Sequence, residues 1–466
     1  MKTNATTLFL SCLVLFLVLA TAAAYAQEID SLRNEIKQFR QKVSKIDELE
    51  LRLADLEKDS ARVQQLLAPQ ERPASLAKPI PAIPSRDLRE TEKPLTGNDL
   101  VEAEFLGSWP MFGTDYRLKV GGYVKTDMLY DVDGTTDRTQ FLMSTIPVEG
   151  TPEHANKGYF SAFSRETRFN IDVRRVTPGA VPLRLFVEGD FWSSGNQFRL
   201  RHAYVTVNKF IVGQTWTTLS FLEALPFLID FAAGDALFGG RASQIRYQRR
   251  VGENWKMAVA LEMLDYMGIE NPNNLAGQPS LGLPLLAVRV DYHRKSTLLL
   301  FGSSVAQLRW DGGAAGPDAK GLQFDVVFAG RQYLGESNYL TWNVAYGKGS
   351  GENIMAFTGS HANAVLTPDG MLETMPAFSA VAGFMHRWNE EFSSNFSYAY
   401  GWLDTPESRA PLALRRGGVG HVNVIWSPPS AKKFSSGIGY MWGAERTTNL
   451  AVGSASRIQG MVKLEF

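Results

Sequence analysis

From Tyr116 onward the sequence repeats one pattern, with apolar residues at every second position and charged or polar residues between them. Leu118, Val120, Val124 and Met128 fall on one face, and Lys119, Tyr123, Lys125 and Asp127 on the other. A period of two is that of a β-strand with two unlike faces. Phe169, Ile171 and Val173 oppose Arg168, Asn170, Asp172 and Arg174. Leu183, Leu185, Val187 and Phe191 oppose Arg184, Glu188 and Asp190. Trp255, Met257, Val259, Leu261 and Met263 oppose Lys256 and Glu262, and Leu322, Phe324, Val326 and Phe328 oppose Gln323 and Asp325. A secreted β-sandwich or β-helix would need a dry core face, and these strands carry Arg, Asp, Glu and Lys there instead. A wall between lipid and water uses both faces.

Short connectors such as Pro178-Gly179 and Pro428-Pro429 alternate with long polar ones, residues 132–158, 271–282 and 348–376. The candidate strands number about sixteen, an even count as single-chain bacterial barrels have. The expected fold is therefore an all-β transmembrane barrel over residues 115–466, wide enough to hold an aqueous channel. A mean hydropathy of −0.15 fits, because lipid-facing and lumen-facing residues average out. The formal net charge of zero argues against a nucleic-acid partner held by bulk charge.

The amino terminus adds compartment. Lys2, the apolar run of residues 8–20 and Ala24-Tyr25-Ala26 form a secretory signal peptide over residues 1–26. The run is short for a membrane anchor. The one cysteine, Cys12, lies inside it with too little apolar sequence before it for a lipoprotein, so the mature chain has no thiol. Residues 27–68 carry an apolar seam, Ile29, Leu32, Ile36, Phe39, Val43 and Ile46, stepping by three and four. It continues through Leu49, Leu53, Leu56, Ser60, Val63 and Leu67, with one missing step after Ile46. A narrow, long seam indicates an α-helical coiled coil rather than a lone amphipathic helix, and leaves dimer and trimer both open. Repeated prolines make residues 69–114 an extended linker.

Residues 197–250 hold the sharpest functional signal. They read as strand, tight turn, strand, long loop, strand. Residues 220–240 are rich in Phe and Leu yet flanked by arginines, so this loop is expected to fold inward and narrow the lumen. Arg168, Arg174, Arg184, Arg199, Arg201, Arg246 and Arg289 alternate with apolar neighbours and should point into the barrel. Rings of Arg select anions, and a planar guanidinium matches a carboxylate with two hydrogen bonds. The other reading is structural: arginines paired with Glu188, Asp190, Glu223, Asp230 or Asp235 pin the loop to the wall. Arg199, Arg201 and Arg246 border the loop and are expected at one level of the lumen.

These features together resemble a Gram-negative porin. The run RLRHAYVTVNKFIVGQTWTTLSFLEALPFLIDF resembles the constriction-loop region of DcaP-like trimeric porins, and the order of signal, coiled coil, Pro-rich linker and barrel is similar too. Phe466 after alternating apolar residues resembles the signal read by the barrel-assembly machinery. The resemblance implies a sixteen-stranded homotrimer in the outer membrane, among lipid and lipopolysaccharide. It further implies a periplasmic coiled coil and passage of small anions such as dicarboxylates. No enzyme is expected: there is no H-E-x-x-H, P-loop or G-x-S-x-G, and no catalytic, metal or cofactor residue is assigned. An outer-membrane lipase and a tether between outer membrane and cell wall are the alternatives. A TonB-type receptor lacks support, since no globular plug precedes the barrel.

Overall fold

The structure, a computed structural model, describes residues 105–466 apart from 112–113, 178, 233 and 264–267. The expected signal peptide, coiled coil and most of the linker lie outside the described residues. Sixteen antiparallel strands make the wall. They are β1 Tyr116–Asp133, β2 Lys157–Phe163 continued by Arg168–Arg175, β3 Leu183–Asp190 and β4 Arg199–Val207. Then come β5 Phe210–Trp216, β6 Arg241–Val251, β7 Trp255–Met263 and β8 Leu285–Arg294. β9 is Thr297–Asp311, β10 Ala319–Leu334, β11 Asn338–Lys348 and β12 Pro376–Arg387. The last are β13 Phe392–Leu403, β14 Leu414–Trp426, β15 Phe434–Thr447 and β16 Val452–Glu465. Each strand pairs with the next, and β16 pairs with β1, Val462 opposite Thr126, so the ladder closes on itself. No described helix is long and apolar enough to cross a membrane, and the strands are what spans it.

Side chains sort as the period-two pattern requires. Along β7, Trp255, Met257, Val259, Leu261 and Met263 are exposed on the outside, while Ala258, Ala260 and Glu262 are buried inside. An apolar outer band of this kind is stable only against lipid. Tight turns lie at the end where the described chain enters. Asn208, with φ 53°, takes the left-handed conformation that the two-residue turn between β4 and β5 needs.

Two details depart from the sequence reading. Residues 105–110 do not behave as free linker. Trp109 and Pro110 pair with Leu118 and Arg117, and Phe105 is buried beneath the Arg174 guanidinium at 4.2 Å. The long loops also differ from polar surface excursions. Residues 134–156 after β1 (L1), 217–240 after β5 (L3) and 349–375 after β11 (L6) all send apolar residues into the barrel. Phe141 and Met143 of L1, Phe221 and Leu237 of L3, and Ile354 and Phe357 of L6 share one buried cluster with Leu300, Val327, Ala345, Val381 and Ala399 of β9–β13. The inner wall is therefore divided. β9–β15 offer mainly small apolar and uncharged residues to the loops, Asp325, Arg331 and Glu445 excepted, and β1–β8 carry most of the buried charge.

The seam beside β1 explains one charged residue. β2 pairs with the outer half of β1 through Phe163–Asp127 and with its inner half from Arg168–Tyr123, so 124–126 face the longer segment 164–167. This extra residue is a bulge that turns Glu166 inward, where it meets the Lys125 ammonium and accepts from Tyr123 Oη at 2.9 Å. At the same point Gly122 has φ +149°, its carbonyl accepts the Phe466 N–H, and a Cβ on it would lie 2.1 Å from the Arg168 carbonyl oxygen. Gly122→Ala should thus cost at least about 1–3 kcal/mol. Gly460→Ala, whose Cβ meets nothing nearer than 3.7 Å, should be neutral. Urea titration of the heat-modifiable folded band checks this: a lower midpoint is expected for Gly122→Ala alone.

Candidate functional site: a charged wall facing the third loop

L3 is held along its whole length. At its start Arg289 Nη1 donates to the Thr218 and Ser220 carbonyls, both at 3.0 Å, and Glu262 accepts the Thr218 N–H at 2.5 Å. In its middle Arg331 donates to the Glu223 and Leu225 carbonyls at 2.9 and 3.2 Å. Asn423 donates to Phe227, and Lys125 Nζ to the Ile229 carbonyl at 2.6 Å. Its end pairs with L6, through the Gly239 N–H on Asn353 and the Met355 N–H on Leu237. The loop therefore crosses from β5 to the far wall and returns to β6. Phe231 stacks on Trp192 at 3.9 Å on the way back.

Most of the arginines expected to line the pore point inward and have acidic partners. Arg199 makes a two-pronged pair with Asp190, Nε–Oδ1 2.9 Å and Nη2–Oδ2 2.7 Å. Arg201 donates to Glu188 at 3.0 Å and to the same Asp190 at 2.8 Å. Arg168 lies 3.8 Å from Glu166 and 4.0 Å from Glu188. Arg184 and Arg174 together hold Asp172. Of these, Arg199 and Arg168 keep the most water contact, with side chains 30% and 22% exposed.

Arg246 does not join Arg199 and Arg201, contrary to the expectation of one shared level. It is buried against the Trp216 carbonyl and lies 3.9 Å from Glu262, beside the Arg289–Asp291 pair. Arg289 and Arg246 therefore belong to the anchor of L3. The residue that stands with Arg199 and Arg201 is Arg241, the first of β6. It is opposite Trp216 in register, with its guanidinium 5.1 Å from the Trp216 ring, and it feels the charges of Arg201, Arg199 and Asp190. It is half-buried and has no carboxylate within ion-pair distance among the described residues. Its place at the loop–strand junction, before the alternation begins, hid it from sequence reading.

Asp230 and Asp235 neither pair with wall arginines nor face the channel, the two roles open to acids of an inward loop. Asp230 accepts the N–H groups of Phe141 at 3.1 Å and Ala232 at 2.9 Å, and Asp235 accepts that of Met143 at 2.6 Å. They clamp L1 onto L3, and none of their hydrogen bonds goes to a wall arginine. Burial pushes the Asp230 carboxyl up to about 6, against the opposing pull of Arg457, and the Asp235 carboxyl up to about 7. Glu223 is half-buried, and its backbone carbonyl rather than its side chain is the atom that Arg331 holds.

A closed sixteen-stranded barrel with an apolar outer band, a charged inner wall and its third long loop folded inside is an outer-membrane porin. The sequence matches the model of the DcaP outer membrane protein family over residues 107–466, and the chain belongs to that family. Among solved structures it is similar to the outer membrane channel DcaP of Acinetobacter baumannii. That match has a TM-score of 0.65 at 18% identity and covers 75% of this chain and 97% of that one. The anion-selective porin from Comamonas acidovorans matches at a TM-score of 0.49 and 11% identity, over 75% and 100% of the two chains. OmpT of Vibrio cholerae matches at 0.49 and 12%, over 76% and 99%. No curated protein matches the sequence.

The two raised carboxyls give L1 docking a pH dependence. A carboxyl whose folded pKa exceeds its free value of 3.8 favours the docked state fully below that value. The contribution is lost as pH rises through about 6 to 7. Amide exchange at Phe141 and Met143, corrected for intrinsic rate, should be roughly tenfold or more slower at pH 5 than at pH 8. Asp235→Asn should flatten the Met143 profile.

Proposed function

We propose that the protein admits small hydrophilic solutes by passive diffusion and prefers small anions, dicarboxylates among them, where β2–β6 face L3. The single observation that carries this reading is Arg241. At this level Arg168, Arg199, Arg201, Arg241 and Lys125 stand against Glu166, Glu188, Asp190 and Asp127, five cations to four carboxylates, with Arg165 beside them held on the Ser193 carbonyl and over the Trp192 ring. The four carboxylates neutralise their partners, and the Arg241 charge is left for the solute. One carboxylate of a dicarboxylate meets the Arg241 fork. The other meets the outer edge of Arg199, whose inner edge Asp190 already holds. Two weak contacts in sequence let the ion enter and leave again.

Reversal potential in asymmetric KCl tests this. A unit positive charge ~6 Å away in water is worth about 0.7 kcal/mol, favourable for chloride and unfavourable for potassium, so their permeability ratio moves by about 1.4 kcal/mol, roughly tenfold. Arg241→Gln should lower the chloride-to-potassium permeability ratio by about that factor with heat-modifiability unchanged. An unaltered ratio contradicts the assignment. Removing Arg199 and Arg201 together is a poorer test, because it strands the buried Asp190 carboxylate at a cost of about 3–5 kcal/mol.

The rest of the organisation follows the same reading. Residues 27–68 form a periplasmic coiled coil, and that seam and the barrel wall together hold a homotrimer. The seam and the family support this, and mass measurement after removal of residues 27–95 separates the two contributions. A monomeric full-length protein would contradict it. Phe466 serves the barrel-assembly machinery, and the chain has no enzymatic role.

A further inference from the structure

The outer face of the wall carries a feature that solute passage does not use. Along β14 the outward row runs from Trp426 near the tight-turn end up to Arg416. Ten residues at ~3.3 Å, in a strand tilted by roughly 35–45°, rise about 25 Å, the height of the apolar band of such a barrel. Arg416 therefore stands at the upper, extracellular edge of that band, in line with Trp402 of β13 and Arg446 of β15. Arg416 and Arg446 are directly opposite one another across the β14–β15 ladder. Like charges in that position repel. A register shift between Leu414 and Arg416 adds Arg415 beside them. None of the three arginines has a carboxylate within ion-pair distance among the described residues.

Immediately below them the wall is hollowed. Gly418, Ala444 and Ser454 leave an open groove of about 400 Å³ between the rings of Tyr398, Tyr440 and Trp442. That volume is within the roughly 300–1,000 Å³ of small-molecule sites. The one acid on its rim, Asp133, accepts a hydrogen bond from Ser456 Oγ at 3.2 Å. The groove faces hydrocarbon and its top faces headgroups.

We propose that this outer face of β13–β16 is a binding site for a phosphorylated acyl lipid of the outer leaflet. Its phosphate relieves the repulsion between Arg416 and Arg446, and an acyl chain fills the groove. A guanidinium pair matches a phosphate with parallel hydrogen bonds, and aromatic rings at the interface flank acyl chains well. Charge selects lipid over a two-fold contact with a second copy of the chain here, since that copy would bring its own unpaired arginines to the same patch.

The test uses the full-length protein in detergent, diphosphoryl lipid A as probe, and native mass spectrometry as readout. Wild type should hold lipid A, and phosphatidylethanolamine should bind at least tenfold more weakly. Arg416→Gln/Arg446→Gln should lose at least tenfold in apparent affinity for lipid A while keeping wild-type heat-modifiability. Ser454→Trp projects into lipid and fills the groove, and it should weaken binding with both arginines intact. Equal binding by wild type and the double arginine variant overturns the proposal. So does a wild type that binds no lipid A, including the case in which Ser454→Trp splits an oligomer and reveals this face as a contact between copies.

Discussion

Closure of the hydrogen-bond ladder between β1 and β16 is what the remaining structure depends on. In hydrocarbon an unpaired backbone N–H or C=O costs several kcal/mol, so a sheet survives only without edges. Once the ladder closes, every second side chain must face lipid, which is why the outer row of β7 is Trp, Met, Val, Leu and Met without interruption. The remaining side chains must then face inward. The seam where closure happens is also where the chain departs from regularity. The bulge at residues 164–167, the bare Gly122 and the Phe466 ring on Phe169 at 5.7 Å are one local solution to joining the two ends.

The inside follows from a second constraint, that charges shielded from bulk water need partners. Asp172 answers Arg174 and Arg184, Asp190 answers Arg199 and Arg201, and Asp131 answers Arg457. Where an arginine has a buried carbonyl to serve instead, it fixes a loop, as Arg289 and Arg331 do for L3. Positive charge is thereby used mostly for architecture. Under the function proposed above, what remains for a solute is the charge at Arg241, which has no carboxylate within ion-pair distance among the described residues. A porin of this design can prefer anions without presenting an open ladder of free arginines.

The barrel was legible in the sequence because a strict period of two across so many segments has few other physical solutions. The inward course of L3 was legible too, from Phe221, Leu222, Phe227 and Phe231 between arginine-bearing strands. L1 and L6 were not, although Phe141-Leu142-Met143 and Ile354 to Phe357 are apolar runs inside otherwise polar loops. Alternation assigns a side chain to the lumen but does not say which carboxylate reaches it. Hence Arg246, grouped with Arg199 and Arg201 by sequence proximity to L3, proved to belong to the Arg289 anchor. Asp230 and Asp235, offered as partners for arginines, proved to hold backbone amides of L1. Both outcomes turn on contacts between segments distant in sequence, where spacing carries no information.

The proposed anion preference rests on a small positive excess at the level of Arg241. The reversal potential of the wild-type protein in a tenfold KCl gradient reads that excess most directly. Chloride should carry more current than potassium at low salt, and the preference should shrink as ionic strength rises and the Debye length falls toward 3 Å at ~1 M. A potential of zero, or one set by potassium at low salt, would contradict the account.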